Sequence, residues 1–124
     1  MGRVRQKDTA PELSVRRILF SNGFRYRLHV RSLPGSPDIV LPRFKTAIFV
    51  HGCFWHRHAA CRRTTTPKTR TEFWQAKFDA NMARDSKNEA LLKELGWRVI
   101  VVWECETTDG ATLVEKLMRL LRTS

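Results

Sequence analysis

The spacing of apolar residues changes several times along the chain, and each change marks an element. Val15, Ile18 and Leu19 recur on one helical face behind Thr9-Ala10-Pro11-Glu12. In that start Thr9 caps the helix and Glu12, three residues on, is placed to close a capping box. The helix is expected to stop near Gly23. Phe24-Arg25-Tyr26-Arg27-Leu28-His29-Val30 alternates apolar and polar with period 2, which predicts a half-buried strand. Leu33-Pro34-Gly35-Ser36-Pro37 is a turn, Asp38 to Leu41 a short strand, and Thr46 to Val50 a further strand of buried character. From His51 to about Arg70 the regular pattern disappears, and loops of that length are uncommon in compact domains unless function or a metal holds them. Helical spacing returns at Thr71 and runs towards Leu95, ended by Gly96. It carries Trp74, Phe78 and Met82, then Leu91, Leu92 and Leu95, beside a second, polar stripe of Lys77, Asn81, Arg84, Asp85 and Asn88. Trp97 to Trp103 encloses Val99-Ile100-Val101-Val102, a run typical of a strand buried on both faces. Asp109 or Thr108 caps a last helix with Leu113, Leu117, Leu120 and Leu121. Helix, three strands, helix, strand, helix predicts one α/β domain over residues 1–124, a mixed sheet with helices packed against it.

Length and composition narrow the class. At 124 residues the chain can build one real core and is too small for two. No apolar run approaches the roughly 20 residues that span a bilayer, and the first residues hold no apolar stretch of the secretory kind. A soluble, cytoplasmic protein is expected. Lys and Arg number 23 against 12 Asp and Glu, a formal charge of +11. That excess attracts polyanions. Nucleic acid is the first candidate partner, and an anionic membrane surface is disfavoured because no long basic amphipathic helix is present.

Three cysteines without an export signal argue for metal rather than a disulfide framework. Cys53 and Cys61 flank His58, and Cys105 follows the buried strand; three thiolates and one imidazole make a tetrahedral set suited to structural Zn²⁺. Zinc would pin the irregular loop to the end of the last strand. The bland alternative is three unconnected thiols with His58 at the surface. His51 and His56 would remain for proton transfer near neutral pH.

The string Phe49-Val50-His51-Gly52-Cys53-Phe54-Trp55-His56, preceded by Leu33-Pro34-Gly35-Ser36-Pro37-Asp38, closely resembles the very short patch repair endonucleases. The resemblance begins at Lys7-Asp8-Thr9. It continues through Thr71-Glu72-Phe73-Trp74, Asn81, Arg84-Asp85 and Gly96-Trp97-Arg98-Val99 to Trp103-Glu104-Cys105, and so spans about the whole chain. It implies a restriction-endonuclease-like fold and an enzyme that nicks one strand of double-stranded DNA beside a T:G mismatch left by deamination of 5-methylcytosine. By similarity, Asp38 and the backbone carbonyl of Val50 would bind Mg²⁺, with two-metal assistance to an in-line displacement. His56 would accept the proton of the attacking water, oriented or assisted by Glu12, and His51 would support the phosphate or the metal-bound waters. Phe54, Trp55 and Trp74 would intercalate at the poorly stacked wobble pair, where insertion costs least. Asn81, Arg84 and Asp85 would support the site or touch DNA. A bacterial, nucleoid-associated monomer is expected, with accessory proteins of mismatch repair as further partners.

Read from the residues alone, several of these positions have plainer roles. Glu12 is better explained as a capping-box partner, and only the resemblance reverses that order. Asp38 could simply end a turn after Pro37, Trp74 could be core, and the stripe of Asn81, Arg84 and Asp85 could be a solvated helix face. The competing function is a non-catalytic, zinc-stapled DNA-binding module for distorted duplex; a nuclease cutting both strands is disfavoured because nothing signals a dimer. Two departures from the family stand out. Few residues precede Asp8, where relatives commonly carry a longer arm that reaches DNA. The gap from His58 to Cys61 is also one residue longer than in the best-known version, which bears on the fourth zinc ligand.

Overall fold

In a computed structural model, which describes residues 9–53, 61 and 68–122, the elements follow the predicted order. They are α1 (Ala10–Ser21), β1 (Arg27–Leu28), β2 (Ile39–Leu41), β3 (Thr46–His51), α2 (Thr71–Glu94), β4 (Arg98–Trp103) and α3 (Gly110–Arg122). Short 3₁₀ turns occupy Pro42–Phe44 and Glu104–Thr108. Helix α1 begins as expected: Thr9 is extended and its Oγ1 accepts from the Glu12 amide at 3.4 Å. Pro11 sits in the first turn, where its missing N–H removes no intrahelical bond. Both α1 and α2 close with a paired reverse bond past the last turn, Phe24 N–H to Leu19 C=O at 2.9 Å and Trp97 N–H to Leu92 C=O at 2.9 Å. Asp109, rather than Thr108, caps α3: its carboxylate accepts from the Thr112 amide at 3.3 Å and the Thr112 hydroxyl at 2.7 Å.

Among the described residues the sheet has four strands in the order β1-β2-β3-β4. The first two pairings are antiparallel and β3 runs parallel to β4, with Ile48 opposite Ile100 and His51 opposite Trp103. Period-2 alternation assigns the two faces. Ile39, Leu41, Ile48, Ile100 and Val102 meet Val15 and Leu19 of α1 and Leu113, Leu117 and Leu121 of α3 in the main core. Ala47 and Phe49 meet Leu92 of α2 in a smaller cluster on the opposite face, with Leu33, Trp97 and Val99 beside them. On the outer edge of β4, Lys116 of α3 donates to the Val101 carbonyl at 2.9 Å and to both oxygens of Glu106 at 2.8 Å. That contact covers part of the strand that ends the sheet among the described residues.

Three differences from the sequence reading matter. The strand expected over residues 24–30 shrinks to Arg27–Leu28, both exposed. Phe24 and Tyr26 pack against the core as the alternation predicts, whereas Leu28, the next inward position, is exposed. Pairing, however, needs a partner, and β2 offers only three residues. His29 then leaves the extended region at φ 50°. The second difference is β4, where Ile100 and Val102 are buried while Val99 and Val101 are half-buried, because α2 covers its face thinly.

The third concerns α2, whose 24 residues bury only Phe78 and Leu92. Met82, Leu91 and Leu95 are exposed. The half-buried positions include Trp74, Asn81, Asp85 and Asn88, which share the 4-3-4-3-4 spacing of Phe78 and Leu92. The inward stripe is therefore apolar at its ends and polar in the middle. At Asn88 it meets the turn that leads to Asp38: a Cβ at Gly35, whose φ is +76°, would lie 3.0 Å from the Asn88 Cβ. Only glycine fits that crossing without displacement.

Candidate active site and metal centre

The irregular segment opens at the end of β3, and Cys53 lies two residues beyond it, fully buried. Cys105 enters from the other side, in the 3₁₀ turn after β4. That turn is braced by Glu106, which accepts from the Trp103 amide at 2.8 Å and from Lys116 of α3. Parallel pairing of β3 with β4 brings these two strand ends to the same side of the sheet. Cys53, Cys61 and Cys105 have their sulfur atoms within 4.8 Å of one another, and the Cys105 amide points at the Cys53 sulfur at 3.4 Å. Burial pushes the Cys53 thiol up to about 12, and the neighbouring thiols add to the rise; Cys105 is raised for the same leading reason. Three crowded thiols can ionise together only if a cation takes up the charge. Sulfurs about 2.3 Å from a tetrahedral zinc lie roughly 3.8 Å apart, so the group needs little adjustment to hold one. The predicted fourth ligand, His58, lies outside the described residues.

A second group gathers on the other side of β3. Glu12 of α1, His29 after β1 and Asp38 before β2 each offer a ligand atom, all within 4.8 Å of one another. The Glu12 side chain is 2 % exposed. It forms an ion pair with Arg16, one helical turn on, and lies 3.2 Å from His29 Nε2. A buried carboxylate is stable only when paired and hydrogen-bonded in this way. Half of the predicted capping box is present, since Thr9 accepts from the Glu12 amide, yet the carboxylate itself faces Arg16 and His29. Asp38 is fixed by the Val50 amide, which donates to its Oδ2 at 2.7 Å. In an extended strand the N–H and C=O of one residue leave the same edge, so the Val50 carbonyl is directed to the side on which Asp38 lies.

The other predicted positions fall as follows. His51 is not part of the irregular loop: it is the last residue of β3, 7 % exposed, with its ring edge-on to Trp103 at 5.3 Å and beside Phe49 at 5.8 Å. Trp74 is half-buried, stacked on Phe78 at 6.1 Å and edge-on to Phe73 at 5.5 Å. Arg84 is exposed and donates to Asn81 at 3.3 Å, while Asn81 and Asp85 are half-buried. Phe54, Trp55 and His56 lie outside the described residues. Sequence reasoning missed Arg16 and His29. The i, i+4 spacing of Glu12 and Arg16 on a helix was a usable signal. His29 gave none, because its position read as the outward face of a strand.

At the N-terminal end of α2, Phe73 is 44 % exposed with Arg70 and Lys77 over its ring at 4.8 and 5.5 Å. No helix among the described residues is long and apolar enough to cross a membrane.

The family model described as DNA mismatch endonuclease Vsr matches residues 1–63, which include Glu12, Asp38, Val50 and two of the cysteines. The type II nicking enzyme V.XorIIP of Xanthomonas oryzae pv. oryzae is 50 % identical over 121 residues, covering 98 % of this chain and 88 % of that protein. V.NmeAIP of Neisseria meningitidis serogroup A, also a type II nicking enzyme, is 48 % identical over 98 % of this chain and 86 % of its own length. DNA mismatch endonuclease Vsr of Escherichia coli is 45 % identical over 95 % of this chain and 75 % of its own length. These relatives are bacterial enzymes that act on DNA, and they align across both the thiol group and the carboxylate group. The chain belongs to the Vsr family of DNA mismatch endonucleases, hydrolytic nucleases that cut DNA.

Proposed function

We propose that this enzyme nicks one strand of duplex DNA next to a T:G mismatch, the product of 5-methylcytosine deamination, using Mg²⁺ at Asp38 and a structural Zn²⁺ at the thiol group. The observation that carries this reading is the convergence of Glu12 and Asp38, from separate elements, with the Val50 amide on the Asp38 carboxylate. Asp38 and the Val50 carbonyl form an oxygen set of the kind Mg²⁺ takes when substrate phosphate and water supply the rest. Mg²⁺, when bound, supplies Lewis acidity and charge neutralisation at the phosphate. In the reaction the water oxygen forms a bond to phosphorus and gives its proton to His56, while the opposite P–O bond breaks in line and the leaving sugar oxygen takes a proton from solvent. Glu12, held by Arg16, orients that proton acceptor, and His51 supports the phosphate from the end of β3. The sheet order and the three helices suit a restriction-endonuclease-like fold acting as one domain and as a monomer.

The thiol group serves a different purpose. Cys53, Cys61 and Cys105, with His58, would bind Zn²⁺ and tie the loop of Phe54 and Trp55 to the end of β4. Those two rings and Trp74 enter the stack at the mismatch, with Asn81, Arg84 and Asp85 supporting from α2. The net charge of +11 supplies the backbone attraction.

The test is Mg²⁺-dependent cleavage of labelled duplexes carrying one T:G pair in varied methylation-site contexts, against matched duplexes. The expected result is a single-strand nick beside the mismatch that Asp38→Ala loses by about a thousandfold or more, roughly 4 kcal/mol of barrier, while DNA affinity stays nearly intact. Tight mismatch binding with no nick in any context would replace this reading with that of a binding module.

A further inference from the structure

His29 contacts both carboxylate-bearing residues. Its backbone N–H donates to the Asp38 carbonyl at 3.0 Å, and its Nε2 lies 3.2 Å from Glu12 Oε2 and 3.3 Å from Arg16 Nη2. The arrangement depends on the left-handed backbone at φ 50°, a region where histidine is enriched relative to most residues but still uncommon. There the chain turns out of β1, so the amide closes onto Asp38 while the ring swings to α1. The Glu12 carboxylate is almost wholly buried, while the His29 side chain is 26 % exposed and so flanks it on the accessible side.

We propose that His29 is a positioning residue for the nicking reaction: its Nε2 fixes the orientation of the Glu12 carboxylate, and its amide fixes the distance between Glu12 and Asp38. Arg16 alone cannot do this. It is on the same helix as Glu12 and reports nothing about where β2 lies. His29 is anchored to the residue that carries the second carboxylate, so it transmits the position of the sheet to the side chain on α1. A group that orients a catalytic carboxylate acts through it, as the outer partners of metal ligands do. The inference rests on the reading that Glu12 serves the reaction.

A glycine series separates the ring from the backbone. His29→Gly keeps the amide bond to Asp38 and adopts the left-handed conformation without strain, but it lacks the imidazole. In His29→Gln the side-chain amide reaches about as far as Nε2 and can donate to Glu12. Single-turnover nicking at saturating T:G duplex, DNA affinity and melting temperature are measured for both, and for Glu12→Gln alone and combined with His29→Gly. We expect His29→Gly to slow nicking about 10- to 100-fold with DNA affinity unchanged, and His29→Gln to recover most of the rate. The double variant should be no slower than Glu12→Gln alone, because one residue acts through the other. A His29→Gly enzyme as fast as the unaltered one overturns the proposal. So does a His29→Gln enzyme as slow as His29→Gly, or a double variant in which the two losses multiply. An unaltered chain that nicks nothing overturns the mismatch reading and this proposal together, an outcome distinct from active wild-type enzyme matched by His29→Gly.

Discussion

The thiol group at the end of β3 and the carboxylate group beside β2 are built on opposite electrostatic principles. Cys53, Cys61 and Cys105 crowd acidic protons together, the half-buried Cys61 and Cys105 against the buried Cys53, whose thiol is pushed up to about 12. The Cys105 amide at the Cys53 sulfur offsets only part of that rise, and a metal would relieve it by replacing the protons. The carboxylates are already compensated, Glu12 by Arg16 and His29, Asp38 by the Val50 amide. On the proposed reading the first group would depend on its ion to hold a shape, whereas the second would keep its shape and use an ion for chemistry. One consequence is that loss of metal should read out as unfolding at one place and as loss of rate at the other.

The sharpest way to break this contrast is at Cys105. Cys105→Ser is expected to unfold the domain, since structural zinc contributes folding free energy on the order of 10 kcal/mol in small zinc domains. A strong chelator should lower the melting temperature of the unaltered protein in the same direction. A well-folded, zinc-free Cys105→Ser protein, seen by circular dichroism and metal analysis, would remove the structural-zinc claim and with it half of the comparison.

A smaller effect is expected at Arg16. Removing Arg16 leaves the buried Glu12 carboxylate with only His29 among its two described charge partners, and Arg16→Ala should cost about 3 kcal/mol. The sign of the second step is the informative part. Glu12→Gln introduced into Arg16→Ala should restore stability, because it removes a buried charge that has lost its arginine. Denaturant unfolding of the two proteins decides it, and a double variant less stable than Arg16→Ala would show that packing rather than charge holds this corner.

The smallest effect sharpens the contrast from outside both groups. Asp109 is exposed, and its carboxyl is held below the usual range by the hydroxyl and amide of Thr112. A folded-state value depressed in this way contributes stability above the unfolded value, and the contribution fades as pH falls through the folded one. The melting-temperature difference between the unaltered protein and Asp109→Ala should therefore be full near neutral pH and narrow below about pH 4. A difference that persists unchanged in acid would mean that the cap acts by something other than its charge.

Much of the fold was legible because it is written in local periodicity. The i, i+3 and i+4 spacing of Val15, Ile18 and Leu19, and of Leu113, Leu117 and Leu121, marks faces that any helix must bury somewhere. The apolar runs of β3 and β4 leave little choice but a central sheet, and Thr9 and Asp109 announce their helices by the chemistry of a cap. Where the reading failed, local and global signals diverged. In α2 the apolar count favoured Met82, Leu91 and Leu95 as inward, yet a straight helix presents one stripe, and that stripe is fixed at its ends by Phe78 and Leu92. Asn81, Asp85 and Asn88 are carried inward with it.

By itself, then, the sequence determined the helices and the buried strands, a basic surface fit for DNA, three cysteines in metal-ligating company and, through His51-Gly52-Cys53, the family. Only the tertiary structure decided which residues meet. Glu12, His29, Asp38 and Val50 are spread over 39 positions of chain, and no periodicity links them. They converge because β1, β2 and β3 pair antiparallel in sequence order while α1 packs across them, and because His29 turns left-handed where the short β2 runs out of partners. Hydrophobic spacing is a property of one segment at a time; a site is a property of the pairing between segments, and that is set by the sheet.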